Sequence, residues 1–376
     1  MNTEIVKIQG QDSKTEEMIL NLGPQHPSTH GVLRVILKMD GEVITSAQPD
    51  VGYLHRGTEK LAENRTYPQM LVISDRWDYL AAMSNNLVWS LAVEKLMQIE
   101  VPARGQILRV IMVELNRIAS HLVFFGTYGI DIGAYTPFLY AFREREKILD
   151  LFEEVSGARM TYNYIRIGGV MADLPKDWIG RCRSFLEWMK PRFVEYDTLL
   201  TENPIFQDRT KNIGILPQPL AISYGISGPN LRGSSNPFDL RKDAPYCLYD
   251  KFNFSIPTGK NGDCWDRYWV RIEEMKESVK IIEQALEMLP EGECNAKVPR
   301  IIRPPIGEVY AQIEAPRGML GIYLVSDGGD KPYRVHVRPP SFINLAVLQE
   351  ILVGMKVADV IAILGSIDIV LGEVDR

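Results

Sequence analysis

Cysteine is scarce in this 376-residue chain, and its four copies stand apart at Cys182, Cys247, Cys264 and Cys294. There is no C-x-x-C pair and no Cys/His run at metal-ligand spacing, which excludes a thiolate metal site and a disulfide framework of the secreted kind. Scattered reduced thiols of a cytoplasmic protein fit better. The five histidines do not cluster, the formal net charge is −6, and no Lys/Arg block or basic-aromatic stripe occurs, so nucleic acid is not an expected partner. A phosphate-cradling loop, a convincing G-x-G-x-x-G and a G-x-S-x-G elbow are all missing. Long apolar runs are missing as well. The longest, VADVIAILGSIDIVLG, carries aspartates and falls short of a membrane span. The opening MNTEIVKIQGQDSKTEE is polar and mixed in charge, unlike a secretory signal. A soluble chain with no transmembrane span of its own is expected, with docking onto a membrane protein left open.

What is present is an ordinary globular balance, 45% hydrophobic and 24% charged, enough for a large core. MILNLG, VLRVILKM and EVITSAQ read as three short strands, the last two joined at Asp40-Gly41, a turn dipeptide favoured in hairpins. Between the first two lies a Pro- and Gly-rich loop, Gly23 to Gly31, containing His26 and His30. Apolar residues at i, i+3 and i+4 then predict long helices over Pro68–Gln98, Ala103–Phe125, Pro137–Val155, Pro175–Leu200 and Cys264–Met288. Strand-like VYAQIEAP, LGIYLVSD and YRVHVR follow, and a helical portion closes the chain. The expected fold class is α+β, mainly α: a helical-bundle core with small antiparallel sheets at its ends. In domain terms, residues 1–56 hold the first sheet and loop. Residues 57–210 and 264–376 hold the helical core with a small C-terminal sheet. Residues 211–263 form an irregular, partner-contacting segment, with Tyr224 to Lys260 expected to make few contacts of its own.

Three polar sets stand out. Glu114, Arg117 and His121 sit at i, i+3 and i+7 on an otherwise apolar helix, and an internal salt-bridge ladder is the preferred reading. Asp131, flanked by isoleucines and glycines, must pair or stay protonated; spacing names no partner. Asp75, Arg76, Asp78 and Tyr79 lie in SDRWDYLAAM, where Tyr79 by itself reads as a half-buried tyrosine. His26 and His30 alone read as turn residues, because prolines forbid the helix that an i, i+4 metal pair requires. Pattern reading alone does not give the function.

The stretches GPQHPSTHGVLRVIL, GYLHRGTEKLAENRT, DRWDYLAAM, DIGAYTPF, SGARMTYNYIRIGGV, SGPNLRGSS, FDLRKDAPY, GDCWDRYWVRIEEM, EAPRGMLGIYLVSDGGDKPYRVHVRPPSF and ADVIAILGSIDIVLGEVDR do more. In this order, from about Met18 onward, they resemble the successive signatures of the 49 kDa subunit family of proton-pumping NADH:quinone oxidoreductase (respiratory complex I). That family is similar to the large subunit of [NiFe] hydrogenases, whose metal is held by two C-x-x-C motifs. The corresponding segments here, GYLHRGTEK and GSIDIVLG, contain no cysteine, and nickel needs thiolates there.

The resemblance implies a hydrogenase-large-subunit-like bundle without a metal site. It implies a peripheral-arm subunit that forms a quinone head-group site beside a [4Fe–4S] cluster carried by a neighbour, with quinone as substrate and no cofactor held by this chain alone. Motif by motif, His30 and Tyr79 would hold the head group, with His26 of the same loop among the binding residues and Asp131 as the histidine's partner. Implied partners are the terminal-cluster subunit, the 30 kDa-like subunit and the membrane subunit at the quinone entrance, on the cytoplasmic side of a bacterial inner or thylakoid-like membrane. A related complex driven by ferredoxin would use the same subunit in the same role. One departure stands: where many members carry a histidine just after G-A-R-M, this chain has Thr161 and Tyr162.

Overall fold

A computed structural model describes residues 17–25 and 31–376. Strands β1 (Glu17–Leu22), β2 (Arg34–Asp40) and β3 (Val43–Asp50) form an antiparallel sheet in the order β1-β2-β3. Asp40 pairs with Val43, so Gly41 and Glu42 make the two-residue turn, one position later than the Asp-Gly dipeptide suggests. Gly41 takes φ +61°, which a glycine adopts without steric cost. Alternation along the sheet sends Val35, Leu37, Met39 and Ile44 into an apolar cluster with C-terminal residues such as Leu348, Ile363 and Leu371. The first sheet is thereby built onto the far end of the sequence.

The centre is α-helical. Helices α1 (Tyr67–Ser74), α2 (Ala82–Met97), α3 (Ala103–Asp131), α4 (Thr136–Ser156), α5 (Trp178–Tyr196) and α6 (Cys264–Met288) carry the core. Helix α3 is apolar around most of its circumference, so it runs through the interior with α4 and α6 packed against it. It continues past Gly126 to Asp131, further than the apolar spacing predicts. Gly126 is a contact point rather than a stop, since a Cβ there would sit 3.1 Å from the Phe138 backbone of α4. Helix α6 runs over the expected residues, with the Asp263 side chain accepting from the Asp266 amide at 2.8 Å.

Strands β4 (Gly307–Ala315), β5 (Gly318–Ser326) and β6 (Arg334–Arg338) form the second three-stranded antiparallel sheet. Two short helices, α7 (Asp359–Ile367) and α8 (Leu371–Asp375), follow towards residue 376. The architecture is α+β and mainly α, as expected.

Two expectations need correction. The single helix over Pro68–Gln98 is broken at residues 75–81. There, side chains replace helical backbone bonds: Asn116 of α3 accepts from Met83 N at 3.1 Å and donates to Leu80 O at 2.9 Å, and Asp78 Oδ1 accepts from Leu80 N at 3.1 Å. Nor is Tyr224–Lys260 short of contacts. It folds into short helical turns, Pro229–Gly233 and Leu240–Asp243 among them, and buries Arg232, Asp239, Arg241 and Tyr249.

Candidate functional site

Residues 75–81 form a tight turn between α1 and α2, so Tyr79 does not share a helix face with Asp75. Its backbone is fixed by its neighbour. Buried Asp78 receives Arg317 Nη1 through Oδ2 at 2.6 Å. Arg317, in the turn between β4 and β5, also donates to Ser120 Oγ at 2.9 Å, to the Asp368 carbonyl at 3.0 Å and to Asp368 Oδ1 at 3.1 Å. One guanidinium thus ties together the 75–81 turn, α3, the second sheet and the link between α7 and α8. Above this anchor Tyr79 is 39% exposed, open enough to meet a ligand. Burial of its lower part, and then the Asp78 carboxylate, raise the phenol's pKa, with Arg317 opposing.

The C-terminal segment is the floor of this region. At Gly372 a Cβ would lie 2.6 Å from Trp77 O and 3.3 Å from the Tyr79 ring, so only glycine lets α8 lie on the turn. Next to it, Leu371 Cδ1 lies 3.0 Å from where Gly31 would carry a Cβ. Gly31 ends the histidine loop; His26 and His30 themselves lie outside the described residues. Half-buried Asp131 ends α3, and its Oδ2 is 2.9 Å from the corresponding point on Gly365 of α7. Gly31, Tyr79 and Asp131 therefore all abut the one stretch 365–372.

GYLHRGTEK and the segment around Asp375 also meet. The Asp375 carboxylate accepts from Gly52 N at 2.8 Å and Leu54 N at 2.7 Å, and His55 Nδ1 lies 2.6 Å from the Asp375 carbonyl. A 380 Å³ cavity opens here, lined by His55, Glu59, Arg334, Phe342 and Asp375 among others. A larger one of 670 Å³, between Glu94, Arg109, Tyr246 and Tyr310, is lined by none of the expected site residues.

The stripe on α3 is the internal ladder expected of it. Glu114 is fully buried and accepts from Arg117 and Arg241, both at 3.2 Å, and from Tyr249 and Ser278 hydroxyls, both at 2.6 Å. Burial alone would raise its pKa, but Arg117 and Arg241 outweigh that and hold it below the usual range. Arg241 pairs with Asp239 at 2.7 Å, and Arg232 pairs with Glu274 at 2.7 Å and Glu314 at 2.8 Å. His121 Nε2 lies 3.0 Å from Glu274, and burial lowers its pKa despite that carboxylate.

Sequence reasoning missed Arg317, Asp368 and Glu373 as members of the region under Tyr79. The available signals were an arginine between proline and glycine in EAPRG, and acids within the apolar C-terminal stretch. At the departure noted after G-A-R-M, Tyr162 is buried and its ring packs 4.6 Å from that of Phe152.

These features define a mainly helical α+β chain with a closed ionic core, whose C-terminal segment gathers the candidate site. The model of the family described as respiratory-chain NADH dehydrogenase, 49 kDa subunit, matches residues 131–306 and 298–376. The chain is 56% identical to an NADH-quinone oxidoreductase subunit of Desulforamulus reducens over 362 residues, covering 96% of this chain and 99% of the relative. It is 55% identical to the subunit of the same name in Clostridium beijerinckii, covering 96% and 98%, and 56% identical to that of Geobacillus kaustophilus, covering 96% and 99%. The chain belongs to the family of the 49 kDa subunit of respiratory-chain NADH dehydrogenase. Among the described residues, no helix is long and apolar enough to cross a membrane.

Proposed function

We propose that this chain forms the quinone head-group site of a proton-translocating NADH:quinone oxidoreductase. Membership of the family makes it a subunit of an NADH-quinone oxidoreductase, and the relatives are themselves named for NADH and quinone. The observation that carries the site assignment is the convergence of Gly31, Tyr79 and Asp131 on residues 365–372, with Tyr79 half exposed above a buried anchor. In the complex the chain occupies the peripheral arm on the cytoplasmic side of the membrane. It borders the terminal-cluster subunit, the 30 kDa-like subunit and the membrane subunit at the quinone entrance.

The four cysteines are unpaired and scattered, and no group of three or more His, Cys, Asp or Glu among the described residues could hold a metal. In this reading the electrons come from an iron–sulfur cluster carried by a neighbouring subunit, and this chain holds none of its own.

The role of this chain is then to bind the head group and supply protons. Reducing quinone to quinol consumes two electrons and two protons. The Tyr79 hydroxyl supplies one proton and the His30 imidazolium the other, groups with ordinary pKa values near 10 and 6.5. Asp131 beside the imidazole keeps it charged until the reduced quinone takes its proton. Afterwards a tyrosinate and the Asp131 carboxylate remain where an imidazolium had been, a less favourable arrangement of charge. That cost is what local reduction would transmit towards the membrane pumps.

Tyr79→Phe tests the assignment. Losing a hydrogen bond to the quinone is worth about 0.5–1.5 kcal/mol, and losing a proton donor roughly 10²–10⁴ in rate. Turnover of the assembled mutant complex should therefore fall more than quinone affinity, while electron transfer to an acceptor upstream of the site stays unchanged. Quinone reduction near the wild-type rate would make Tyr79 a packing residue and end the assignment.

A further inference from the structure

We propose that the side of α4 holding Arg145 is covered in the assembled oxidoreductase by a segment of a neighbouring subunit, which sets one carboxylate side chain against the Arg145 guanidinium. The inference rests on family membership, which makes the chain a subunit, and does not depend on the quinone-site reading.

Arg145 is only 9% exposed, and its Nε is buried without a hydrogen-bond partner. Among the described residues its guanidinium makes no hydrogen bond and no ion pair. Its carbon lies 5.6 Å from the centre of the Phe142 ring. Every other buried arginine among the described residues donates to a carboxylate, a hydroxyl or a carbonyl.

The acids of the same helix are already taken. Glu144 accepts from Arg143 at 2.7 Å and from the Tyr196 hydroxyl at 3.2 Å. Glu146, Asp150 and Glu153 all turn to Arg159 at the surface. Burial lowers the pKa of Arg145, and the pull of Tyr162 and Glu146 does not offset it. A cation held out of water without an anion is a standing cost to the fold. A carboxylate from outside the chain would remove that cost.

The surface beside it is apolar. Spacings of three and four residues put Tyr135, Phe138, Phe142 and Arg145 along one side of α4, with Leu139 one turn from Tyr135. Tyr135 is 72% exposed and Leu139 69%, and the rings of Phe138 and Phe142 pack 4.1 Å apart. Met160, in the segment after α4, is exposed as well.

This combination selects the occupant. A guanidinium fork takes a carboxylate through two parallel N–H donors. A small free anion would satisfy the cation but leave Tyr135 and Leu139 in water. An anionic lipid surface would meet Glu146, Asp150 and Glu153, which outnumber Arg159. One acid set among the apolar side chains of a protein segment answers both demands.

Arg145→Met removes the charge and keeps the stem. The free full-length variant should unfold at the same denaturant concentration as the wild type or a higher one, because an unpaired buried charge is gone. In the purified complex the same chain should dissociate roughly thirtyfold faster or more, because the neighbour's acid is left unpaired in the interface. Arg145→Lys, a charge without the fork, should fall between. Leu139→Asp changes an exposed side chain, should leave the free chain's stability alone, and should also speed dissociation by repelling the incoming acid; it carries the test if Arg145→Met does not fold. A photo-crosslinker placed at Leu139 should capture a peptide of a neighbouring subunit that contains Asp or Glu. Exchanging the two charges, Arg145→Glu with lysine in place of that acid, should restore retention. Wild-type retention of both Arg145→Met and Leu139→Asp overturns the proposal. So does a matching loss of stability in free Arg145→Met, which would make Arg145 an internal structural group. Millimolar inorganic phosphate that stabilises the free wild-type chain but not Arg145→Met, with retention unchanged, would make this a small-anion site, and a crosslink to lipid would make it a membrane contact; either result overturns the proposal.

Discussion

Two buried clusters of charge, one on α3 and one under Tyr79, share residue types and differ in how they close. Around Glu114 the acids meet arginines at ion-pair distance: Glu114 with Arg117 and Arg241, Asp239 with Arg241, Glu274 and Glu314 with Arg232. In that cluster the buried atoms left without hydrogen-bond partners are donors, Arg117 Nη1, His121 Nδ1 and Arg232 Nη2, whereas under Tyr79 they include carboxylate oxygens, Asp368 Oδ2 and Glu373 Oε2. The first cluster is sealed in the core; the second sits beneath a half-exposed side chain. The difference teaches that buried charge is not itself the mark of a site. A closed network fixes the positions of helices, whereas an incompletely compensated one next to a surface holds a group whose protonation can change.

The largest expected effect breaks the closed cluster. Arg241→Met leaves Asp239 and Glu114 short of a cation inside the core, and removing one partner of a buried pair costs about 3–5 kcal/mol. Chemical unfolding of the chain should show that loss; a change below about 1 kcal/mol would mean the network does not hold the helices.

A smaller effect sharpens the contrast through pH. Asp239 is held down to about 2, because Arg241 and Arg232 overcome the effect of burial. A lowered carboxyl contributes stability above its unfolded value, and that contribution is lost as pH falls through the folded one. Glu373 is raised to about 8, so its contribution has the opposite sign: the folded state binds the proton more tightly, and stability falls as pH rises from about 4.5 to about 8. Glu373→Gln should therefore gain on the wild type in unfolding midpoint between pH 6 and pH 8.5, by up to a few kcal/mol. An equal difference at both pH values would remove Glu373 from the list of titrating groups.

The smallest effect is the control. Arg159 fans out at the surface to Glu146, to Asp150 at 2.7 Å and to Glu153 at 3.0 Å. Exposed pairs of this kind contribute little, so Arg159→Ala should leave the unfolding midpoint within measurement error. A clear drop would show that charge pairing matters here regardless of burial.

How legible this contrast is in the sequence depends on where the partners come from. The strands and the helix Cys264–Met288 follow from local periodicity and turn residues, which need no knowledge of the rest of the chain. Part of the closed cluster, Glu114, Arg117 and His121, shows as a stripe on one helix. Arg232, Asp239 and Arg241 are hidden in a segment whose Gly and Pro content reads as irregular, and their partners Glu274 and Glu314 lie on a later helix and strand. The break at 75–81 is equally hidden, because it is made by Asn116 and Arg317, both distant in sequence, and apolar spacing continues across it. Tyr79 and Asp131 stand out as candidate site residues only through family resemblance. Glu373 gives no signal beyond being an acid in an apolar stretch, since its significance comes from what surrounds it.

The clamp on Asp375 sets an order of events during synthesis. Its carboxylate is held by backbone amides of Gly52 and Leu54, 323 and 321 positions earlier in the chain. A nascent polypeptide emerging from the ribosome can form the first hairpin early, but it cannot close this clamp or lay Gly372 under Tyr79 until residues 372–375 have themselves emerged. A loop so long is slow to close. Partner subunits that meet the chain on the ribosome before then meet it with this candidate site still open, and a chain cut short just before Asp375 would never close the clamp.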